Sequence, residues 1–150
     1  MQEFKKILYP VDLSEVSSAI VPYVITMAHK FNAEIHLLFV ISSMEHYASF
    51  YIPHPSLNKF EQDLTKGAEQ KLKEFSSEFF KDYSIAKAEV LHGDPAEEIV
   101  KYVESEKIDL VVMGTHGRKG LEKVIFGSVA DQVVKKSPVP VMTVNPHRKS

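Results

Sequence analysis

Residues 108–128 read IDLVVMGTHGRKGLEKVIFGS: an apolar run, Ile108–Met113, that breaks at Gly114 and resumes a helical pattern at Ser128. A buried strand that breaks into glycines and then leads to a helix is the usual way an α/β protein builds a phosphate site. Glycine permits a tight turn and lets backbone N–H groups approach an anion with no Cβ in the way. The helix that follows adds free N–H donors and partial positive charge at its first turn. The stretch predicts a strand, an anion-binding turn and a helix, and it points to a bound phosphate or nucleotide.

The alternation extends outward in both directions. Ile7–Val11, Ile35–Val40, Ile85–Leu91, Ile108–Met113 and Val139–Val144 read as five strands. The first, second and fourth are nearly all apolar, as parallel strands covered on both faces are. Between strands 1 and 2, Val16, Ala19, Ile20, Tyr23, Met27 and Phe31 recur at helical spacing, with Ser14 as N-cap and Pro22 as a kink or restart. Leu57, Phe60, Leu64, Ala68, Leu72, Phe75 and Phe79 form the longest stripe, with Phe75, Phe79 and Phe80 as core. Asp94-Pro95 with Glu97 is a helix start, and Ile99, Val100 and Val103 are its buried face. Ser128 is read as the cap of a last helix carrying Val129, Val133 and Val134, stopped by Ser137-Pro138. The order βαβαβαβαβ with right-handed crossovers makes one doubly wound sheet. The long irregular segment Ile41–Ser56 follows strand 2; an aromatic lid of Tyr47, Phe50 and Tyr51 suits it better than a metal site of His46 and His54.

A chain of 150 residues, 44% hydrophobic and 25% charged, suits one α/β domain over residues 1–150. A net charge of −2 gives no field for nucleic acid or anionic membrane. There is no cysteine, and the start MQEFKKILYPVD lacks a signal-peptide apolar core, so the expected location is cytoplasmic. The histidines His29, His36, His46, His54, His92, His116 and His147 make no metal-binding spacing.

The motif is neither GxxxxGK[ST] nor GxGxxG. Two residues separate Gly114 from Gly117, nine separate Gly117 from Gly127, and Ser128 follows. This pattern resembles the nucleotide-binding signature of the universal stress protein family, G-x2-G-x9-G-[S/T]. The flanking SVADQVVKKSPVPVMTV and the N-terminal KKILYPVDLSEVSSAIVPYVITMAHKFNAEIHLLFV resemble that family as well. The resemblance implies a Rossmann-like five-stranded sheet in order 3-2-1-4-5, two helices on each face, and a ligand at the switch point between strands 1 and 4. It implies a site made from Pro10, Val11 and Asp12, from Val40, from Met113, Gly114, Thr115, His116, Gly117, Arg118, Lys119 and Gly120, and from Gly127, Ser128, Val129 and Ala130.

Within that site, Asp12 is implied to contact the adenosine end, against a plain turn-forming aspartate. Val40 is implied to offer backbone groups to the adenine edge, against a core valine. Gly127 and Ser128 are expected to present N–H groups and the serine hydroxyl to phosphate oxygens. Arg118 and Lys119 either screen phosphate or form a solvated basic turn. His116, with no carboxylate partner in the motif, is read as a backbone contributor whose side chain faces solvent. Lys135, Lys136, Arg148 and Lys149 read as a solvated helix end and tail.

The implied ligand is ATP, with ADP or AMP as alternatives, carrying Mg²⁺ or Mn²⁺ held mainly by the phosphates. The resemblance also implies a homodimer through the strand Val139–Val144, pairing antiparallel with its copy, and regulation of a protein partner the sequence does not name. Two other readings stay open: a slow ATP hydrolase, and an interaction module with a vestigial pocket. No catalytic residue is assigned, because the chain lacks a Walker lysine, an acidic pair in the motif and an SGGxDS-type loop.

Overall fold

A computed structural model of the chain describes residues 1–42, 54–116 and 127–147. The strands are β1 (Lys6–Pro10), β2 (Glu34–Ser42), β3 (Ile85–Gly93), β4 (Leu110–Gly114) and β5 (Val141–Val144). The helices are α1 (Val21–Phe31), α2 (His54–Phe79), α3 (Pro95–Ser105) and α4 (Ser128–Lys136). All neighbouring strands pair in parallel, in the order β3-β2-β1-β4-β5. The sheet is therefore the expected doubly wound one, with its switch point between β1 and β4.

Period-2 alternation distributes the apolar strand residues between two faces. Ile7, Tyr9, Ile35, Leu37, Leu110 and Val112 pack with Val21, Val24, Leu72 and Phe75 of α1 and α2. Leu8, Leu38, Val111 and Met113 pack on the other face with Ile99, Tyr102, Val103, Ala130 and Val133 of α3 and α4. Phe75 and Phe80 are buried and Phe79 packs against them, as the sequence indicates. A polar side chain also enters the second face: His36 is buried, with Nδ1 hydrogen-bonded to the Tyr102 hydroxyl at 2.9 Å. Burial, and then the charges of Glu89 and Glu106, push the Tyr102 hydroxyl well above the ordinary phenol range, so it stays neutral.

Helix ends follow local chemistry, with corrections. Asp94 caps α3 as expected, its carboxylate accepting from Glu97 N–H at 3.0 Å. The first helix starts later than its apolar spacing suggests. A 3₁₀ turn at Ser17–Ala19 precedes it, and Pro22 sits in the first turn, where its missing N–H costs nothing. The buried stripe is accordingly Ile20, Val21, Val24 and Ala28, and Tyr23 is 48% exposed. Ser14 caps no helix. Ser128 does not cap α4 either: Gly127 is the N-cap, Ser128 is the first helical residue, and the cap has no side-chain hydrogen bond. β5 begins at Val141 rather than Val139, because Ser137 folds back with its Oγ donating to the Val139 carbonyl at 2.8 Å. Both ends of the segment Ile41–Ser56 differ from the expectation, since β2 runs to Ser42 and α2 starts at His54; Tyr47, Phe50, Tyr51 and His46 lie outside the described residues.

Candidate functional site

Beyond the carboxyl ends of β1 and β4 lies a cavity of about 270 Å³. It is lined by Pro10, Val11, Asp12, Val40, Met113, Gly114, Thr115, His116, Gly127, Ser128, Val129 and Ala130, residues the sequence singles out. Gly117, Arg118, Lys119 and Gly120 lie outside the described residues.

The β1 side is built around a pinned carboxylate. Val11 N–H donates to the Leu38 carbonyl at 2.8 Å, the last bond before β1 departs from β2. Asp12 Oδ1 then accepts from Ser14 N–H at 3.0 Å and from the Ser17 hydroxyl at 2.6 Å, while Leu13 takes the left-handed conformation at φ 57°. The Asp-Leu-Ser turn and its place at the cavity are thus both present in one residue. The Tyr9 hydroxyl donates to the Ser17 carbonyl at 2.7 Å from below. Burial, reinforced by the Asp12 charge, drives the Tyr9 pKa far above the ordinary phenol range despite the bond to Ser17, so Tyr9 is a neutral donor.

Val40 stands on β2 two residues beyond Leu38. A strand directs residues i and i+2 to the same edge, so Val40 presents its N–H and C=O on the side β1 has left. The half-buried side chain packs toward α3 and α4.

On the β4 side the glycines are dictated by close approach, not by positive φ. Gly127 has φ −60° and ψ 149°, open to any residue. A Cβ there, however, meets the Thr115 carbonyl oxygen at 2.9 Å, and Gly127 N–H donates to that same oxygen. A Cβ on Gly114 meets the His116 carbonyl and the Ile20 side chain, both at 3.3 Å. These contacts hold the N-terminus of α4 against the exit of β4. Because Gly127 N–H is already donated to Thr115, the donors left for a ligand are those of Ser128, Val129 and Ala130 in the first turn. His116 also differs from expectation: its ring is half-buried, with Nδ1 hydrogen-bonded to Thr115 Oγ1 at 2.8 Å.

Several lining residues are not evident from the sequence motif: Tyr9, Val16, Ser17, Ile20, Phe39, Ser42, Pro95 and Ile99. Pro95 opens α3 directly after β3, so its place at the carboxyl end of the sheet follows once the topology is known. Among the described residues no group of three or more His, Cys, Asp or Glu could hold a metal, and no helix is long and apolar enough to cross a membrane.

The family model for the universal stress protein family matches residues 3–145. The chain belongs to the universal stress protein family. Among curated relatives, universal stress protein MJ0531 of Methanocaldococcus jannaschii is 34% identical over 149 residues, covering 97% of this chain and 85% of its own. Universal stress protein MJ0577 of the same organism is 35% identical over 153 residues, covering 94% of each. The solved structure of MJ0577 matches with a TM-score of 0.83 at 33% identity, over 99% of both chains. More distant family members match in fold alone. One from Arabidopsis thaliana with AMP bound has a TM-score of 0.64 at 21% identity, over 94% of this chain and 91% of its own. One from Archaeoglobus fulgidus in complex with dAMP has a TM-score of 0.63 at 15% identity, over 96% of this chain and all of its own.

Proposed function

We propose that this protein is a single-domain, nucleotide-binding regulator of the universal stress type that binds ATP and acts as a homodimer. The observation that carries the reading is the convergence, around one cavity, of a pinned carboxylate, a free strand edge and the N-terminal N–H groups of α4. Each suits a different part of a nucleotide. Asp12 accepts from ribose hydroxyls, and Val40 exchanges backbone hydrogen bonds with the adenine edge. The N–H groups of Ser128, Val129 and Ala130 receive the phosphates, helped by the positive end of α4. The AMP and dAMP held by distant members of the fold support the same ligand class.

Mg²⁺ or Mn²⁺ accompanies the phosphates. Asp12 is the one acidic residue on the described cavity wall, and it is already bonded to Ser14 and Ser17. That donor set fits a cation held chiefly by phosphate oxygens.

Regulation follows from the wiring of the site to the sheet edge. Gly127 N–H donates to the Thr115 carbonyl, and Thr115 N–H donates to the Val144 carbonyl at 2.9 Å. A phosphate drawn onto α4 therefore bears on β5 through two backbone bonds, and the strand Val139–Val144 is the proposed antiparallel dimer contact. A partner protein reads the resulting surface.

The test is to denature freshly purified protein and identify the released small molecule by mass spectrometry, then to measure ATP binding by thermal shift. At ATP concentrations about 100 times Kd, binding stabilises the fold by about 2.7 kcal/mol. Gly117→Val, which fills the phosphate approach implied by the motif, is expected to abolish that shift while the fold persists. A protein that releases no nucleotide and shows no shift with ATP and Mg²⁺ refutes the proposal.

A further inference from the structure

Beside the cavity stands a histidine pair whose side chains the nucleotide reading does not use. His116 follows β4 and lines the cavity, and His147 follows β5. Their rings stand edge to face, with centroids 5.3 Å apart and planes at 77°. The backbone sets this proximity. β4 and β5 pair as far as Gly114 and Val144, Thr115 N–H continues the ladder onto the Val144 carbonyl, and His147 N–H closes the next turn onto Asn145 Oδ1 at 3.0 Å.

We propose that His116 and His147 form a two-imidazole site for a borderline transition-metal dication, Zn²⁺, Co²⁺ or Ni²⁺, whose remaining positions are open to oxygen atoms of the anion in the cavity. The last clause rests on the proposed nucleotide function; the histidine pair does not. Three features support it. The first is spacing: two imidazoles sharing a tetrahedral dication at about 2.0–2.1 Å per nitrogen place their centroids roughly 5 Å apart. The second is orientation of the ligand. With a cation on His116 Nε2, the ring proton sits on Nδ1 and donates to Thr115 Oγ1 at 2.8 Å, and the Thr115 hydroxyl turns its own hydrogen to the Val144 carbonyl at 3.5 Å. That is the outer-shell arrangement that fixes a ligating imidazole. The third is accessibility: His147 is exposed and His116 half-buried, so solvent reaches the pair. Imidazole selects this class of metal over Mg²⁺, which prefers carboxylate, carbonyl and water.

The probe is Co²⁺, titrated into the full chain and followed by visible ligand-field absorption, with Zn²⁺ as competitor and Mg²⁺ in excess as control. The expected result is one bound Co²⁺, displaced by Zn²⁺ and not by Mg²⁺. His147→Gln, an exposed site, is expected to weaken Co²⁺ at least about tenfold, since losing even an outer-shell partner costs that much. Thr115→Val is expected to weaken it by about tenfold through His116 alone. His29→Gln, on an exposed position of α1, is the control expected to change nothing. Equal Co²⁺ affinity in the wild type and His147→Gln overturns the pair as a ligand set, whatever the protein does with ATP. Conversely, a His147-dependent Co²⁺ site in a protein that binds no ATP keeps the pair and refutes the shared anion together with the proposed function. ATP that tightens Co²⁺ in the wild type, and much less in His147→Gln, supports both.

Discussion

Substituting alanine for glycine at two positions of this chain is expected to move stability in opposite directions. At Gly127 the added Cβ lies 2.9 Å from the Thr115 carbonyl oxygen, while ordinary contact begins at 3.4 Å, so the two atoms must separate by the difference, about 0.5 Å. The carbonyl cannot retreat. Thr115 is 7% exposed, and its own N–H is bonded to Val144. The displacement falls on Gly127 and the first turn of α4, and it stretches the Gly127 N–H bond to that same oxygen. Overpacking of this kind costs about 1–3 kcal/mol, and weakening the hydrogen bond adds about 1 kcal/mol. The sum, about 2–4 kcal/mol, lowers Tm by roughly 5–15 °C in a chain of this size. Gly67, by contrast, is exposed within α2 and has nothing within 4 Å of an added Cβ. Alanine there removes the glycine penalty of a helix interior, about 0.5–1 kcal/mol, and raises Tm by a few degrees. Differential scanning calorimetry of both variants without nucleotide, in one buffer, reads the comparison. A Gly127→Ala protein melting within a degree of the wild type, or above it, refutes the claim that close approach is what demands glycine at the junction.

Other expectations follow from single contacts. Asp94→Ala removes the carboxylate that accepts from Glu97 N–H and is expected to cost about 1 kcal/mol in urea unfolding, with little change in m-value. Tyr9→Phe deletes the bond to the Ser17 carbonyl beneath the Asp12 turn; it is expected to cost about 1 kcal/mol and to weaken ATP binding, read together by thermal shift with and without ligand. The Lys87–Glu106 pair, at 2.7 Å, holds the Glu106 carboxyl below the ordinary glutamate value of 4.5 and Lys87 above 10.5. A lowered carboxyl pKa contributes stability above the unfolded value and loses it as pH falls through the folded one; the raised lysine loses its share only in strong base. The wild type is therefore expected to shed stability relative to Glu106→Gln as pH drops below 4.5, and parallel Tm–pH curves for the two proteins contradict the pairing.

How far the sequence carries depends on the range of the interactions involved. The five strands and their alternation with helices are legible because runs such as Ile7–Val11 and Ile108–Met113 must be covered on both faces. Asp94 is legible as a cap because its partner is three residues away. The phase of α1 is not, since Val16 to Phe31 fit a helical stripe equally well whether the helix starts at Val16 or after the 3₁₀ turn. The choice is made by Asp12, which draws Ser14 and Ser17 into its own turn, and by Tyr9, which takes the Ser17 carbonyl. The same limit moves the α4 cap from Ser128 to Gly127. A serine is the better cap by propensity, but the Thr115 carbonyl requires a residue without Cβ at the helix entry.

The sequence by itself determines the layered α/β architecture and the glycine-rich segment between β4 and α4, because both are written in short-range periodicity and in residue types with distinctive backbone behaviour. Family membership is legible for the same reason, since the motif and its flanks lie in contiguous stretches. Only the tertiary structure decides which N–H groups remain free at α4, which edge of β2 Val40 exposes, and that His116 meets His147. Each of these turns on the register of parallel strands far apart in sequence. A one-residue slip between β4 and β5 would turn the β5 side chains to the other face and shift the chain that leads to His147, and nothing local in either segment records that register.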